Sequence, residues 1–282
     1  MVKIISDSTS DLSKDLIEKY DISILPLHVL FDSDEYEDGV DVTPEEIYQW
    51  SDENKTTPKT SAPSLERAME ILKPYVDEGR EVVAFSIASG MSTTGNVIRL
   101  AAEALEAETL VTVIDSANLS TGIGLLIIEA AVMAQEGKSA GEISAYIETL
   151  KPLVRSSFVV DTLTYLHRGG RCSGLAAMAG GVLKLHPRIA VKDGKMEPGK
   201  KYRGKIDKVI MDYVKDMEAD LKNAKKDRVF ITHSGCDKNI VDKVRAYLES
   251  LDVFDEILET RAGSVISSHC GPGTLGVLFI SK

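Results

Sequence analysis

The stretch Val82-Val83-Ala84-Phe85-Ser86-Ile87-Ala88-Ser89-Gly90-Met91-Ser92-Thr93-Thr94-Gly95 decides the fold class. Its first six residues form a near-continuous apolar run, the mark of a strand buried on both faces. A glycine- and hydroxyl-rich turn follows, and a helical pattern runs from Gly95 to Glu106. Similar units recur on either side. Val2–Ser6, Ile22–Phe31 and Leu110–Asp115 read as further strands. Asp11–Lys19, Leu65–Glu78, Gly122–Glu136 and Ala140–Leu150 read as helices. Strands alternating with helices imply a parallel sheet covered on both faces. Beyond Lys151-Pro152 the pattern is more mixed. Ser157–Val160, Arg228–Thr232, Glu256–Glu259 and Leu275–Ile280 read as strands, and Asp207–Ala224 and Asp237–Leu251 as helices. Arg188–Val191 and Lys195–Glu197 flank Asp193-Gly194, a hairpin signal. The expected fold is α/β in two lobes: residues 1–152 with a parallel sheet flanked by helices, and residues 153–282 with a mixed sheet. The segment from about 60 to 80 is expected to pack with the second lobe.

The 282 residues carry 33 Lys and Arg against 44 Asp and Glu, a net charge of −11. Residues 1–150 hold 10 basic and 28 acidic side chains; residues 151–282 hold 23 and 16. An acidic chain is a poor non-specific nucleic-acid binder, because that binding runs on phosphate neutralisation. With 43% hydrophobic and 27% charged residues, the chain has globular rather than disordered composition. The most apolar stretch, Leu125 to Ala134, contains Glu129 and is too short to span a bilayer. The chain starts straight into a strand-like run, without a basic-then-apolar leader. Cys172, Cys236 and Cys270 have no CxxC spacing, which fits a reducing compartment. A cytoplasmic protein without stable membrane insertion is expected.

Two charge runs have two readings each. From Asp32 to Glu53 there are ten acidic residues and no basic one. They form a solvated loop and helix face, or a divalent-cation site; the spacing of a calcium loop is missing, which favours the former. From Lys184 to Lys208 there are nine basic residues against three acidic ones. They form a solvated face, or a docking surface for an acidic partner.

Ligands of doubly wound folds sit in the loops leaving the carboxyl ends of the strands. Here those loops are crowded with hydroxyls: Asp7-Ser8-Thr9-Ser10-Asp11, Thr60-Ser61-Ala62-Pro63-Ser64, Ser89 to Gly95, and Ser116 with Ser120-Thr121-Gly122. Each precedes a helix, whose first N–H groups and partial positive charge attract an anion. One such loop is explained by N-capping. Four of them, with hydroxyls to spare, point to a site for phosphate or carboxylate. No GxSxG elbow, Walker loop, HExxH or GxGxxG occurs. The five histidines show no metal-ligand spacing, so neither a metal nor a cofactor is expected. Cys270 follows His269, but neighbours on a strand or turn point apart, which speaks against a catalytic pair. Three further segments place Gly beside His, Arg or hydroxyls, suited to close backbone approach: Leu163–Ser173, Thr232-His233-Ser234-Gly235 and Gly263–Gly276.

Taken together these motifs resemble the DegV family of bacterial proteins, whose FakB branch is the fatty-acid-binding subunit of fatty acid kinase. The resemblance covers essentially the whole chain. It is carried by Asp7-Ser8-Thr9-Ser10-Asp11, Thr60-Ser61-Ala62-Pro63-Ser64, Ser89-Gly90-Met91-Ser92, and Asp115-Ser116 with Ser120 and Gly122. Tyr165-Leu166, Arg168-Gly169-Gly170-Arg171, Ser173, and His269 with Gly271-Pro272-Gly273 complete it. It implies a two-lobed protein that holds one long-chain fatty acid as ligand. The carboxylate would be bound by Thr60, Ser92 and the backbone of Thr93, with His269 and Arg171 completing the network. Ser61, Ser89, Ser116 and Arg168 would support it. A separate ATP-binding kinase subunit would phosphorylate the bound acid and dock near Lys201 and Arg203. The family's Gly-Thr after the serine is Thr93-Thr94-Gly95 here, and its Gln before Pro is Ala62. The apolar stretches Leu125–Ala134 and Leu175–Leu185 are candidates for the acyl tail lining. The competing expectations are a phosphotransferase or hydrolase acting on a small phosphorylated metabolite, and an interaction module working through the basic face.

Overall fold

The computed structural model describes residues 1–171 and 185–282. The first half builds β1 (Lys3–Asp7), α1 (Lys14–Lys19), β2 (Ile22–Leu25), β3 (His28–Phe31), β4 (Asp34–Glu37), α2 (Pro44–Asn54) and β5 (Lys59–Ser61). It continues through α3 (Leu65–Asp77), β6 (Val82–Ser86), α4 (Thr94–Ala104), β7 (Val111–Asp115), α5 (Thr121–Gln135) and α6 (Ala140–Leu150). Strands β2-β1-β6-β7 form a four-stranded, fully parallel sheet. Alternate residues of its strands face opposite ways. Ile4, Val83 and Phe85 join the core made with α5 and α6, while Ile5, Val82 and Ala84 join the core made with α3 and α4. Both faces are therefore covered, as the apolar runs require.

The expected strand Ile22–Phe31 is two strands in two sheets. Pro26 has no N–H for a ladder bond, and the chain turns there. β3 leaves the parallel sheet and pairs antiparallel with β4 and β5 in a small three-stranded sheet. The acidic run Asp32–Glu53 supplies β4, a turn and α2, and its acids apart from Asp38 are at least partly exposed, as a solvated loop and helix face requires. α2 opens with a capping box between Thr43 and Glu46, with Pro44 in its first turn. One acid of the run, Asp38, is buried.

The second half builds β8 (Val154–Val159), α7 (Thr164–Gly169), β9 (Leu185–Lys192), β10 (Lys195–Arg203), α8 (Ile206–Asp216) and α9 (Glu218–Lys222). It ends with β11 (Ala224–His233), α10 (Lys238–Ser250), β12 (Glu256–Arg261), α11 (Ser264–Cys270) and β13 (Leu275–Ser281). Its six-stranded sheet runs β10-β9-β8-β13-β11-β12, and only β11–β12 is parallel. The hairpin turn is where the Asp193-Gly194 signal puts it, with φ of 49° and 71° at those residues. The predicted helix Asp207–Ala224 breaks at Met217 into α8 and α9. α8 and α10 cover one face of this sheet.

α5 lies between the two sheets, touching β1 and β6 on one side and β8 and β13 on the other. It is apolar all round, as a helix buried on every side must be. Its one acid, Glu129, bonds Arg228 and Lys225 of β11, each at 2.5 Å. α11 packs against α2, α7, β3 and β5, so it joins the small sheet to the second half. Of the segment 60–80, β5 reaches α11, whereas α3 lies against α4 and β2.

Three carboxyls are buried where α11 meets the first half. Asp11 accepts from Gly263 N at 2.8 Å and from Ser120 Oγ at 2.5 Å. Asp38 accepts from Ser264 N at 2.7 Å. Asp7 accepts from Ile87 N at 2.7 Å and from Thr9. Burial, with mutual repulsion as a smaller cause, pushes Asp11 up to about 8 and Asp7 to about 6. Burial raises Asp38 as well.

Two predictions follow from these buried charges. Glu129→Ala leaves the largely buried Arg228 side chain with only Glu256, at 3.9 Å, as its acid, at an expected cost of about 3 kcal/mol in denaturant unfolding. A loss below about 1 kcal/mol would mean that the ion group does not help to join the sheets. The unfolded Asp11 ionises near 3.8, while the folded one keeps its proton up to about 8. The folded state thus binds the extra proton between these values, and stability falls as pH rises through that interval. His269 and His233 are held below their ordinary 6.5, which gives the opposite slope, but only below pH 6.5. The melting temperature should therefore fall between pH 6.5 and 8.5, and Asp11→Asn should flatten that fall. A variant with the wild-type slope would remove Asp11 as its source.

Candidate functional site

A cavity of about 450 Å³ opens between the halves, a volume usual for small-molecule sites. Its polar wall has two sources. β5 brings Thr60 and Ser61, and the loop from β6 to α4 brings Ser89, Ser92 and Thr93. Its apolar wall comes from Leu27, Ile87, Met91, Leu119, Met196, Val265 and Ile266. His269, Cys270 and Arg171 complete it. A small extension of about 30 Å³ shares Leu119, Ile266 and Cys270 and reaches Phe158, Gly276 and Leu278 of the mixed sheet. A larger cleft, about 640 Å³, lies by α6, β8 and the β9–β10 turn, but holds none of the sequence-predicted hydroxyls.

The loop after β6 is held by its neighbours. Ala88 N donates to Asn118 O at 2.9 Å, and Ser89 N lies 3.3 Å from the Asp115 carboxylate. Ser92 Oγ accepts from Thr94 N at 3.3 Å and shares a 2.8 Å bond with Thr94 Oγ1. Ser92 thus sits at the start of α4, where the helix leaves N–H groups unbonded. Thr93 occupies the cap position without a side-chain cap bond.

Across the cavity, Thr60 Oγ1 lies 2.8 Å from His269 Nε2. The two residues are 209 positions apart, so this contact joins the small sheet to α11. Burial, and then the charge of Arg171, lower the His269 pKa to about 4, so the ring is neutral at pH 7. Its Nδ1 is buried without a hydrogen-bond partner among the described residues. A proton there would be an orphaned donor, rarer than an orphaned acceptor. The favoured tautomer carries its proton on Nε2 and donates to Thr60 Oγ1, which leaves the threonine proton free for a ligand. Gly169 closes the Nδ1 side: a Cβ at 169 would overlap that nitrogen. Arg171 Nη1 donates back to Gly169 O at 2.7 Å, which keeps the guanidinium near the cavity mouth.

The structure brings together Thr60, Ser61, Ser89, Ser92, Thr93, Arg171 and His269. It does not bring Ser116 or Arg168 to the cavity. Ser116 is buried and closes a turn onto Asn118, and Arg168 is exposed. Leu125–Ala134 lines neither the cavity nor its extension; it is the core of α5. Leu175–Leu185 lies outside the described residues except for Leu185, as do Cys172, Ser173 and Lys184. His269 and Cys270 sit on a helix, not on a strand or turn, and both line the cavity. The apolar liners Leu27, Leu119, Met196, Val265 and Ile266 were not legible as such, for they come from separate parts of the chain: two loops, β10 and α11. Lys201 and Arg203 are exposed on β10. No group of three metal-ligating side chains, and no helix long and apolar enough to cross a membrane, occurs among the described residues.

Comparison with known proteins places this geometry in a family. A DegV domain-containing protein of Caldanaerobacter subterraneus subsp. tengcongensis is 32% identical, over 100% of this chain and 99% of its own. A fatty-acid-binding DegV family protein from Thermus thermophilus superposes with a TM-score of 0.91 at 32% identity, covering 100% of this chain and 99% of that one. A stearic acid-binding protein from Eubacterium ventriosum gives a TM-score of 0.86, also at 32% identity and with the same coverage. Residues 1–282 match the family described as "Uncharacterised protein, DegV family". Sequence, fold and full-length coverage agree, and the protein belongs to the DegV family.

Proposed function

We propose that the protein binds one long-chain fatty acid, its carboxylate held by hydroxyls between two lobes, residues 1–152 and 153–282. The observation that carries this reading is that the Thr60–His269 pair and Ser92 line one cavity together with an apolar wall. The fatty-acid-binding relatives from Thermus thermophilus and Eubacterium ventriosum support it. His269 Nε2 donates to Thr60, Thr60 donates to one carboxylate oxygen, and Ser92 Oγ with Thr93 N donates to the other. These donors are neutral, so the head group keeps its charge without an adjacent lysine, helped by the start of α4 and by Arg171. Ser61 and Ser89 line the same rim. The tail follows the apolar wall toward Phe158 and Leu278. About 0.8 kcal/mol per buried methylene gives roughly 12 kcal/mol gross for about fifteen, ample after ordering costs.

The protein acts as carrier rather than catalyst in this reading. A separate ATP-binding kinase subunit supplies the nucleotide; the bound carboxylate oxygen attacks the γ-phosphorus, ADP leaves, and an acyl phosphate results for lipid metabolism. Lys201 and Arg203 on the exposed basic hairpin are the docking surface.

Solvent extraction of the purified protein followed by mass spectrometry should yield a long-chain fatty acid. Protein that is empty and also ignores added palmitate or oleate would rule the reading out, and a thermal shift with phosphate or nucleotide instead would favour a phosphotransferase or hydrolase. Ser92→Ala and Thr60→Val should each weaken fatty-acid binding about tenfold or more, as loss of a hydrogen bond to a charged group does. Arg203→Glu should abolish pull-down by a fatty acid kinase subunit and leave fatty-acid affinity at the wild-type value; retained pull-down would move the docking surface elsewhere.

A further inference from the structure

Three of the sequence markers take no part in the hydroxyl site: Asp11 of the first loop, Ser120 before α5, and the Gly263-Ser264 step that opens α11. They meet at one buried point. Gly263 N and Ser264 N, the first N–H groups at the start of α11, donate to Asp11 Oδ1 at 2.8 Å and Asp38 Oδ1 at 2.7 Å. The acceptors lie 252 and 226 positions away in the chain. Ser264 Oγ adds a 3.0 Å bond to Val42 O, and Ser120 Oγ grips the other oxygen of Asp11.

We propose that Asp11 and Asp38 are positioning residues of the ligand cavity: they seat the start of α11 and thereby fix the helix that presents His269 to Thr60. The proposal deepens the binding function given above and rests on it. Neither carboxyl lines the cavity; both act through α11. Val265, Ile266, His269 and Cys270, four residues of this seven-residue helix, line the cavity. Two turns of helix have little stability of their own, so the anchors at its start decide where the ring of His269 lies. The anchoring point also stores strain. Asp11 holds φ 52°, and Ser120 holds φ 54° with ψ −146°, a region that side-chain-bearing residues rarely adopt. Gly263 makes the double contact feasible, since a Cβ there would sit 3.0 Å from Asp38 Oδ1 and 3.4 Å from Asp11 Oδ1.

The test uses the full chain, ligand-free for the ring signal and with a fluorescent long-chain fatty acid for affinity. In wild type, the ring ¹⁵N signals of His269 should report a bonded Nε2 and an unbonded Nδ1. Asp11→Ala and Asp38→Ala should shift the Nε2 signal and weaken fatty-acid binding about tenfold, while Asp11→Asn and Asp38→Asn, which keep an oxygen for the N–H groups, recover most of both. A folded Asp11→Ala with an unmoved His269 signal overturns the proposal. Should the alanine variants fail to fold, Gly263→Ala takes their place: it should move the same signal, and an unmoved signal counts against the proposal equally. If wild type itself binds no fatty acid, the binding function fails, and the His269 signal still decides the positioning role by itself.

Discussion

A helix of seven residues cannot hold a position through its own hydrogen bonds, because nucleating a turn costs more than a few bonds return. α11 is such a helix, and it is a wall of the cavity. Its start is bonded to Asp11 and Asp38, and its far end meets Thr60 through His269. All three partners belong to the first half of the chain. The seat of α11 is thus set by groups that the parallel sheet and the small sheet deliver, and the cavity exists only where those sheets are correctly joined to the second half. α5, between both sheets, provides the apolar part of that joint, and Glu129 with Arg228 and Lys225 the charged part.

The charge asymmetry of the sequence does not continue into this joint. At neutral pH two of the groups around the seat of α11 are uncharged, in contrast to the Glu129 ion group beside α5. Asp11 keeps its proton, since burial raises it to about 8, and His269 lacks one, since burial lowers it to about 4. Desolvation disfavours the charged form of acid and base alike. The excess acids of the first half stand mainly on its surface, as do Lys195, Lys201 and Arg203 of the β9–β10 hairpin. A buried anion of the proposed kind would therefore meet oriented dipoles rather than a field of fixed charges, which suits one carboxylate and suits a multiply charged phosphate less.

The sequence was informative where burial is two-sided and the pattern strong. Val82–Ile87 and Leu110–Asp115 read as parallel strands because their apolar runs are nearly continuous, and Asp193-Gly194 announced the hairpin because its turn needs positive φ. The hydroxyl loops also stood out, since they carry more donors than capping requires. Legibility failed where one residue or one distant contact decides. Pro26 splits the run Ile22–Phe31 between two sheets, although β-propensity continues across it. α11 was not read as a helix, and Gly263–Gly276 stood out only for close backbone approach, because Ser264-Val265-Ile266-Ser267-Ser268 has weak helix propensity and is held by carboxyls over 220 positions away. Asp38 was read with its acidic neighbours as solvated, and only the fold separates it from them. Ser116 carries the same residue type as Ser92, yet the first turns inward to Asn118 and the second faces the cavity.

The same geometry bears on why binding, rather than turnover, is the proposed role. A general base works best with a pKa near the operating pH. His269, at about 4, is a weak base at pH 7, and its Nε2 is already engaged with Thr60. Burial is the larger cause of that low basicity and the charge of Arg171 the smaller, so both the depth of the ring and its cationic neighbour keep it neutral. The features that make His269 a good fixed donor are thus those that make it a poor catalyst. In the proposed reading the groups that react with the bound carboxylate come from a separate kinase subunit, and His269 is left to hold the head group.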